Sequence, residues 1–218
     1  MSFIAARKIR IAEKTDWLAK AKSLPNFDKV AHLVVIPSYK ESYEKIKDTL
    51  ESINNQTFVK KQIYVYLALE EREENVKDKA EKLKKEYENI FGGFYYTLHP
   101  DVPNEVKGKS SNQAYASADA YERLVKSGKL DINFMTVTSA DADVLFDKSF
   151  FSYLTYSFLT VSDPTFTFWQ SANVTYNNQP QRIALPKPAM EGLLLSADAT
   201  SDTTRLMLTI RSSKRTVT

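Results

Sequence analysis

The run Val30-Ala31-His32-Leu33-Val34-Val35-Ile36 constrains this chain more than any other stretch. A continuous apolar segment without period-2 alternation describes a strand buried on both faces, the habit of parallel sheets covered by helices. Such a strand needs parallel neighbours and crossover helices between them, and the sequence supplies both. Pro37-Ser38-Tyr39-Lys40-Glu41 breaks the strand, and Ser42 to Asn55 then carries Ile46, Leu50 and Ile53 at helical spacing. Gln62 to Leu69 reads as a second strand, opening onto Glu70-Glu71-Arg72-Glu73-Glu74. Asn75 to Phe91 reads as a second helix, with Val76, Ala80, Leu83, Tyr87 and Ile90 on one face. Gly92-Gly93 stands where a left-handed helix cap is wanted. Phe94 to Leu98 is a third strand, and the loop His99 to Lys109 leads into a helix over Ser110 to Lys126, stopped by Gly128. Asn133 to Thr138 is the next strand. This alternation predicts an α/β fold, with a mostly parallel central sheet, helices on both faces and right-handed crossovers.

The flanks are less patterned. Phe3 to Lys22 predicts a leading amphipathic helix that ends near Leu24-Pro25 and serves as packing material rather than a membrane anchor. Phe150 to Leu159 predicts a helix, and Thr165 to Tyr176 alternates as a strand or hairpin arm. Residues 1–28 are thus a helical lead, 29–178 the core and 179–218 a poorly patterned tail, in one domain overall. A length of 218 residues suits that count.

Composition removes several function classes. The absence of cysteine excludes disulfides, zinc-thiolate sites and cysteine nucleophiles. The only histidines, His32 and His99, lie far apart in sequence, which excludes a His-rich metal site. His32, inside the first strand, is expected to be a core residue. A net charge of +3 without a Lys/Arg stripe among aromatics argues against nucleic acid. Met1 to Arg10 is basic but precedes no apolar core of a secretory signal. No 18 consecutive residues are apolar, so no transmembrane segment is expected. The expectation is a cytoplasmic protein, with peripheral contact at the inner face of the membrane left open.

Chemistry concentrates at Thr136-Val137-Thr138-Ser139-Ala140-Asp141-Ala142-Asp143-Val144. Strand spacing puts Asp141 and Asp143 on one side. Two carboxylates held that close repel unless a cation joins them. Oxygen ligands favour Mg²⁺ or Mn²⁺, which keep positions open for phosphate oxygens. The alternative is a solvated acidic turn. What favours the metal is position: Ser38, Tyr39, Glu41, Glu70, Glu71 and Asp141 to Asp143 all follow strand ends, where ligands of open α/β sheets bind.

Two decoys fail. Gly108-Lys109-Ser110 opens a helix as a phosphate-binding P-loop would, but Pro103 stands where that motif needs its first glycine. No G-x-G-x-x-G follows the first strand, and no G-x-S-x-G occurs anywhere.

Val35-Ile36-Pro37-Ser38-Tyr39-Lys40-Glu41, Lys107-Gly108-Lys109-Ser110-Ser111-Asn112 and Ser139-Ala140-Asp141-Ala142-Asp143 together resemble, in order and spacing, the successive motifs of family 2 glycosyltransferases with the Rossmann-like GT-A fold. Phe168-Trp169-Gln170 and Tyr176-Asn177-Asn178 are similar to the segment that follows in one bacterial branch. The resemblance implies a nucleotide-sugar-binding core over 29–178 and an inverting transfer from a nucleoside-diphosphate sugar, UDP favoured, to a glycan, lipid or other hydroxyl acceptor. By resemblance Pro37, Ser38, Tyr39 and Glu41 would line the base and ribose pocket. Glu70 would hold the uracil ring in place of the usual aspartate, with Lys109 and Asn112 near the ribose and diphosphate. Asp141 would approach the ribose or the metal, and Asp143 would bind the metal, Mn²⁺ or Mg²⁺. The family's general base sits in a downstream Glu-Asp or Asp-Asp pair, and no such pair occurs here. Asp147, Asp163, Glu191, Asp198 and Asp202 remain, none in the expected context, and the chain reads as shortened at its carboxyl end. The alternative function is a nucleotide-sugar-binding domain without transfer activity.

Overall fold

The computed structural model describes residues 11–12, 14–165, 167–169, 172–174 and 209–212. Helix α1 (Trp17–Lys22) leads into a parallel sheet of four strands, β1 (Ala31–Ser38), β2 (Ile63–Glu70), β3 (Gly93–His99) and β4 (Met135–Ser139), in the order β3-β2-β1-β4. Every residue of β1 is buried, as its apolar run requires. Alternate side chains serve two cores. Val34, Ile36, Val65, Leu67 and Leu69 meet Ile46, Leu50 and Ile53 of α2 (Tyr43–Asn54) and Ala80, Leu83 and Tyr87 of α3 (Val76–Tyr87). On the other face Leu33, Val35, Tyr66 and Ala68 meet Ala116 and Ala120 of α4 (Lys109–Ala120). The α/β architecture, with a parallel sheet covered on both faces, is as the periodicity implies.

The details differ in four places. First, Pro37 does not break the strand: β1 runs through it to Ser38. In a strand the N–H and C=O of one residue point to the same side, and the side alternates. The Val35 carbonyl accepts from Ala140 N at 3.1 Å on the β4 side, where the pairing ends at Val35 and Ser139. Pro37 therefore faces the side that β4 has already left, and its missing N–H costs no ladder bond.

Second, neither Gly92 nor Gly93 has the left-handed φ of a helix cap. Gly92 is instead a close approach: its N–H donates to the Ile63 carbonyl at 2.8 Å, and a Cβ there would lie 2.3 Å from the Lys61 carbonyl oxygen. Third, the helix over Ser110 to Lys126 is α-helical only to Ala120, then widens into a π-helical segment, Tyr121–Lys126. The wider turn carries Leu124 into the α4-side core, and Gly128, with φ 77°, turns the chain away.

Fourth, the lead is not one continuous helix to Lys22. Asp16 interrupts it, its carboxylate accepting from Ala19 N at 2.9 Å to cap α1. Trp17 then packs edge-on to Tyr153, ring centroids 4.7 Å apart. Residues 1–10 of the expected lead lie outside the described residues.

Past β4 come β5 (Val144–Phe146) and α5 (Phe150–Thr160), a helix apolar on nearly every side and correspondingly buried. Thr155 of α5 and Thr136 of β4 bond the two ring nitrogens of His32, at 2.7 and 2.6 Å. His32 is the core residue its setting implies, and burial alone lowers its pKa to about 3. β6 (Ala172–Val174) is the described strand within the expected arm. β7 (Thr209–Ser212), from the stretch that hydrophobic patterning leaves unassigned, completes a second sheet in the order β5-β7-β6. It runs antiparallel to β5 and parallel to β6. The remainder of 179–218, with Glu191, Asp198 and Asp202, lies outside the described residues, as do Gln170 and Tyr176 to Asn178. No helix among the described residues is long and apolar enough to cross a membrane.

Candidate functional site

The carboxyl ends of β1, β2, β3 and β4 share one edge of the sheet, and the loops leaving them are tied to one another. After β1 the chain turns sharply at Lys40, whose φ is 65°. The Glu41 carboxylate folds back and accepts from Ser38 Oγ at 2.9 Å and Tyr39 N at 2.5 Å. This turn is pinned to the loop after β2: Lys40 N donates to Glu73 at 3.0 Å, and Lys79, ion-paired with Glu73, donates to the Glu41 carbonyl at 3.0 Å. The Tyr39 ring is half-exposed, with the Arg72 guanidinium stacked 4.2 Å from its centroid.

The acidic pair lies just past β4, in the turn to β5. Ala140, Ala142 and Val144 are buried while Asp141 is exposed and Asp143 half-buried, so the alternation continues beyond the strand and both carboxylates face outward. The turn is fixed by Thr49 Oγ1 donating to the Ala142 carbonyl at 2.9 Å and by Val144 N donating to the Asp141 carbonyl at 3.1 Å. Lys109, at the start of α4, ion-pairs with Asp141. Among the described residues Asp143 is in no ion pair of that kind. Its carboxyl is held above the usual carboxylate range, first by burial and next by the charge of Asp141, with Glu41 adding to the effect and Lys45 opposing it.

The residues singled out in the sequence thus fall in two groups at this edge: Ser38, Tyr39 and Glu41 are bonded together at the end of β1, and Lys109 pairs with Asp141, two residues from Asp143. Pro37 and Asn112 are buried deeper. The Asn112 amide donates to the Ala68 carbonyl at 2.8 Å, tying α4 to β2, while its Oδ1 has no partner among the described residues.

Glu70 ends β2 with only 5% of its surface exposed. Beside it is a shallow recess of about 10 Å³, lined by Glu70, Arg72, His99, Pro100, Asp101, Val102, Glu105 and Lys107. Glu70 Oε2 lies 3.6 Å from Arg72 Nε and 3.7 Å from His99 Nδ1. His99 and Arg72, which line this recess, and Lys45, whose charge acts on Asp143, were not singled out by sequence patterning. Register pairs Glu70 with His99 at the ends of β2 and β3, and tertiary pairing rather than a local sequence pattern sets that register.

The resemblance implies a divalent ion, and the carboxylates present can be tested for fit. Among the described residues no three carboxylate or histidine groups gather to cage a metal. Mg²⁺ and Mn²⁺ sites that serve phosphates do not need a cage: one or two carboxylates suffice, with phosphate oxygens and water completing the shell. Asp141 and Asp143 fit that arrangement, and the raised Asp143 carboxyl marks a position where added positive charge is favoured.

No protein-family model matches the chain, and no curated protein does. Solved structures do. S. aureus TarS residues 1–349 matches over 70% of this chain and 39% of its own, at 16% identity and TM-score 0.45. The same fragment in complex with UDP gives 16% identity, 70% and 38% coverage and TM-score 0.43. The mannosyltransferase PcManGT from Pyrobaculum calidifontis, in complex with GDP-Man and Mn²⁺, matches over 89% of this chain and 44% of its own, at 17% identity and TM-score 0.43. The chain spans less than half the length of these structures. Similarity at that level leaves function to be argued from this chain's own residues.

Proposed function

We propose that this chain is the donor-binding part of a metal-dependent glycosyltransferase of the GT-A type, taking a nucleoside-diphosphate sugar, with UDP favoured. The observation that carries the reading is the electrostatic arrangement past β4. A half-buried carboxyl, Asp143, has its pKa raised by burial and by a second carboxylate, Asp141, while a lysine from the motif that opens α4 reaches the same place. Charges so arranged suit a ligand that brings both a cation and an anion, as a metal-bound diphosphate does. Asp143 and Asp141 would hold the ion and Lys109 a diphosphate oxygen. A bound divalent ion stabilises the negative charge that develops on a departing diphosphate. Tyr39, braced by Arg72, offers a stacking face for the base at the same edge.

Transfer with inversion needs a carboxylate base on the acceptor side. One specific observation favours donor binding without transfer. Asp147, the first acidic residue after the pair, is committed to the turn before α5: its carboxylate accepts from Ser149 N at 2.9 Å and Ser149 Oγ at 2.7 Å. A base from elsewhere in the chain, or from another subunit, is then required.

The two readings separate in solution. UDP with Mn²⁺ is expected to raise the Tm, and Asp143→Asn to abolish the metal-dependent part of that rise. No shift with any nucleoside diphosphate at millimolar concentration sinks the donor site. Release of UDP from a UDP-sugar in the presence of acceptors then reports transfer itself.

A further inference from the structure

We propose that the chain forms a two-fold dimer through the free edge of β3, the β3 strands of two copies pairing antiparallel so that two four-stranded sheets become one of eight. β3 ends the sheet order β3-β2-β1-β4 and, among the described residues, pairs on one side only, with β2. An unpaired edge presents a row of backbone N–H and C=O groups that another strand can take up. Along this edge runs an open groove of about 240 Å³, lined by Phe94, Tyr95 and Tyr96 of β3. Lys84 of α3 flanks it on one face of the sheet, and Arg123 of the π-helical segment on the other. A groove walled on both faces and floored by a strand edge has the form that a further strand fills.

The flanking charges say whose strand it is. Lys77, Glu81 and Lys84 of α3 and Glu88 at its end follow one another at helical spacing, a single stripe of alternating sign. Glu81 accepts from Tyr96 Oη and Lys84 lines the groove, so this stripe faces the β3 edge. Neither Glu81 nor Lys84 is in an ion pair among the described residues. As a crossover helix α3 runs opposite to β3, so antiparallel β3 strands bring antiparallel α3 helices with them. With strands about 4.8 Å apart, helices lying over β2 and β3 of each copy stand about 10 Å apart, the usual helix-packing distance. A two-fold axis midway between Glu81 and Lys84 then sets Glu81 against the partner's Lys84, and Lys77 against the partner's Glu88. On the other face Asp119 and Arg123, an ion pair within one turn, meet their opposites about an axis midway between them. Lys84, Arg123 and the middle of β3 line one groove, so a single axis serves the strand and both helix rows. A slip that opposed Lys84 to the partner's Lys84 would set like charges together, which fixes the register. The axis stands perpendicular to the sheet, so the strand ends that carry the acidic pairs point apart and stay open.

Sedimentation velocity of the full chain at high micromolar concentration is expected to show a dimer, and hydrogen exchange to slow along β3 as concentration rises. Lys84→Glu and Glu81→Lys each place two like-charged pairs across the axis, and each is expected to weaken the dimer by about tenfold or more. Mixed in equal amounts, the two variants regain opposite charges at both contacts and should form a heterodimer as tight as the parent dimer. Circular dichroism checks that each is folded; should Glu81→Lys not fold, Lys84→Glu and the exchange along β3 decide alone. A chain that stays monomeric at high micromolar concentration, a dimer indifferent to Lys84→Glu, or folded variants that fail to associate when mixed each overturn the proposal. Binding of UDP with Mn²⁺ is expected to be the same in Lys84→Glu as in the parent, so the donor site stands or falls separately.

Discussion

Asp143 carries the sharpest physical consequence among single residues, because its carboxyl is held above the usual range by burial and by Asp141. A group whose folded pKa is raised contributes stability below its unfolded pKa, and that contribution is lost as pH rises through the folded value. At neutral pH, without metal, ionised Asp143 is therefore a net cost to the fold. Asp143→Asn is expected to raise the Tm of the metal-free protein at neutral pH, and the gain should shrink as pH falls through the carboxylate range. Thermal scans of both proteins across that range check it; an Asn variant less stable than the parent at neutral pH contradicts the assignment. The spacing of Asp141 and Asp143 was legible in the sequence because strand alternation is a local rule. The meeting of Glu70 with Arg72 and His99 was not, because the contact between the ends of β2 and β3 depends on register, and register is set by tertiary pairing.

Among elements, the hinge between α3 and β3 shows what patterning can and cannot supply. The helix and the strand are written in their periodicities, 3.6 and 2; the strand forms within a residue of its expected bounds, while the helix, expected to reach Phe91, ends at Tyr87. The reason for the glycine between them is not local. Gly92 is small because the Lys61 carbonyl and the Tyr64 ring pass within 2.3 and 2.8 Å of where its Cβ would be. Gly92→Ala is expected to lower unfolding free energy by about 1–3 kcal/mol, the usual range for forcing a methyl into filled space. Urea denaturation measures it, and a neutral substitution would mean the loop yields. Pro37 teaches the same lesson: its place inside β1 depends on where β4 stops, which no window of sequence around Pro37 contains.

At the scale of the molecule, His32 joins three elements, with β4 and α5 bonded to its two nitrogens from within the core. Its pKa falls from 6.5 to about 3 through burial. The unfolded chain therefore binds a proton that the folded chain excludes, and stability declines as pH drops below 6.5, by about 1.4 kcal/mol per pH unit. His32→Gln is expected to destabilise the protein at neutral pH yet flatten this acid limb. Denaturant midpoints at several pH values test it, and parallel profiles for the two proteins would refute the linkage. The parallel pairing and the two-sided covering were readable from the alternation of strands and helices; the order β3-β2-β1-β4 was not. The return of Thr209–Ser212 to pair with β5 was not, because one short strand far along the chain has no periodicity to announce it.

The contact between Lys109 and Asp141 gives the proposed site a cooperative character. Both side chains are half-exposed, so the pair is weak and a ligand of the proposed kind would separate it. Under the proposed function a diphosphate that took up Lys109 would release the Asp141 carboxylate for a cation, and a cation held by Asp141 would release Lys109 for the diphosphate. Each ligand thus removes the competitor of the other. By linkage the enhancement is reciprocal, so the factor by which Mn²⁺ tightens the nucleotide equals the factor by which the nucleotide tightens Mn²⁺.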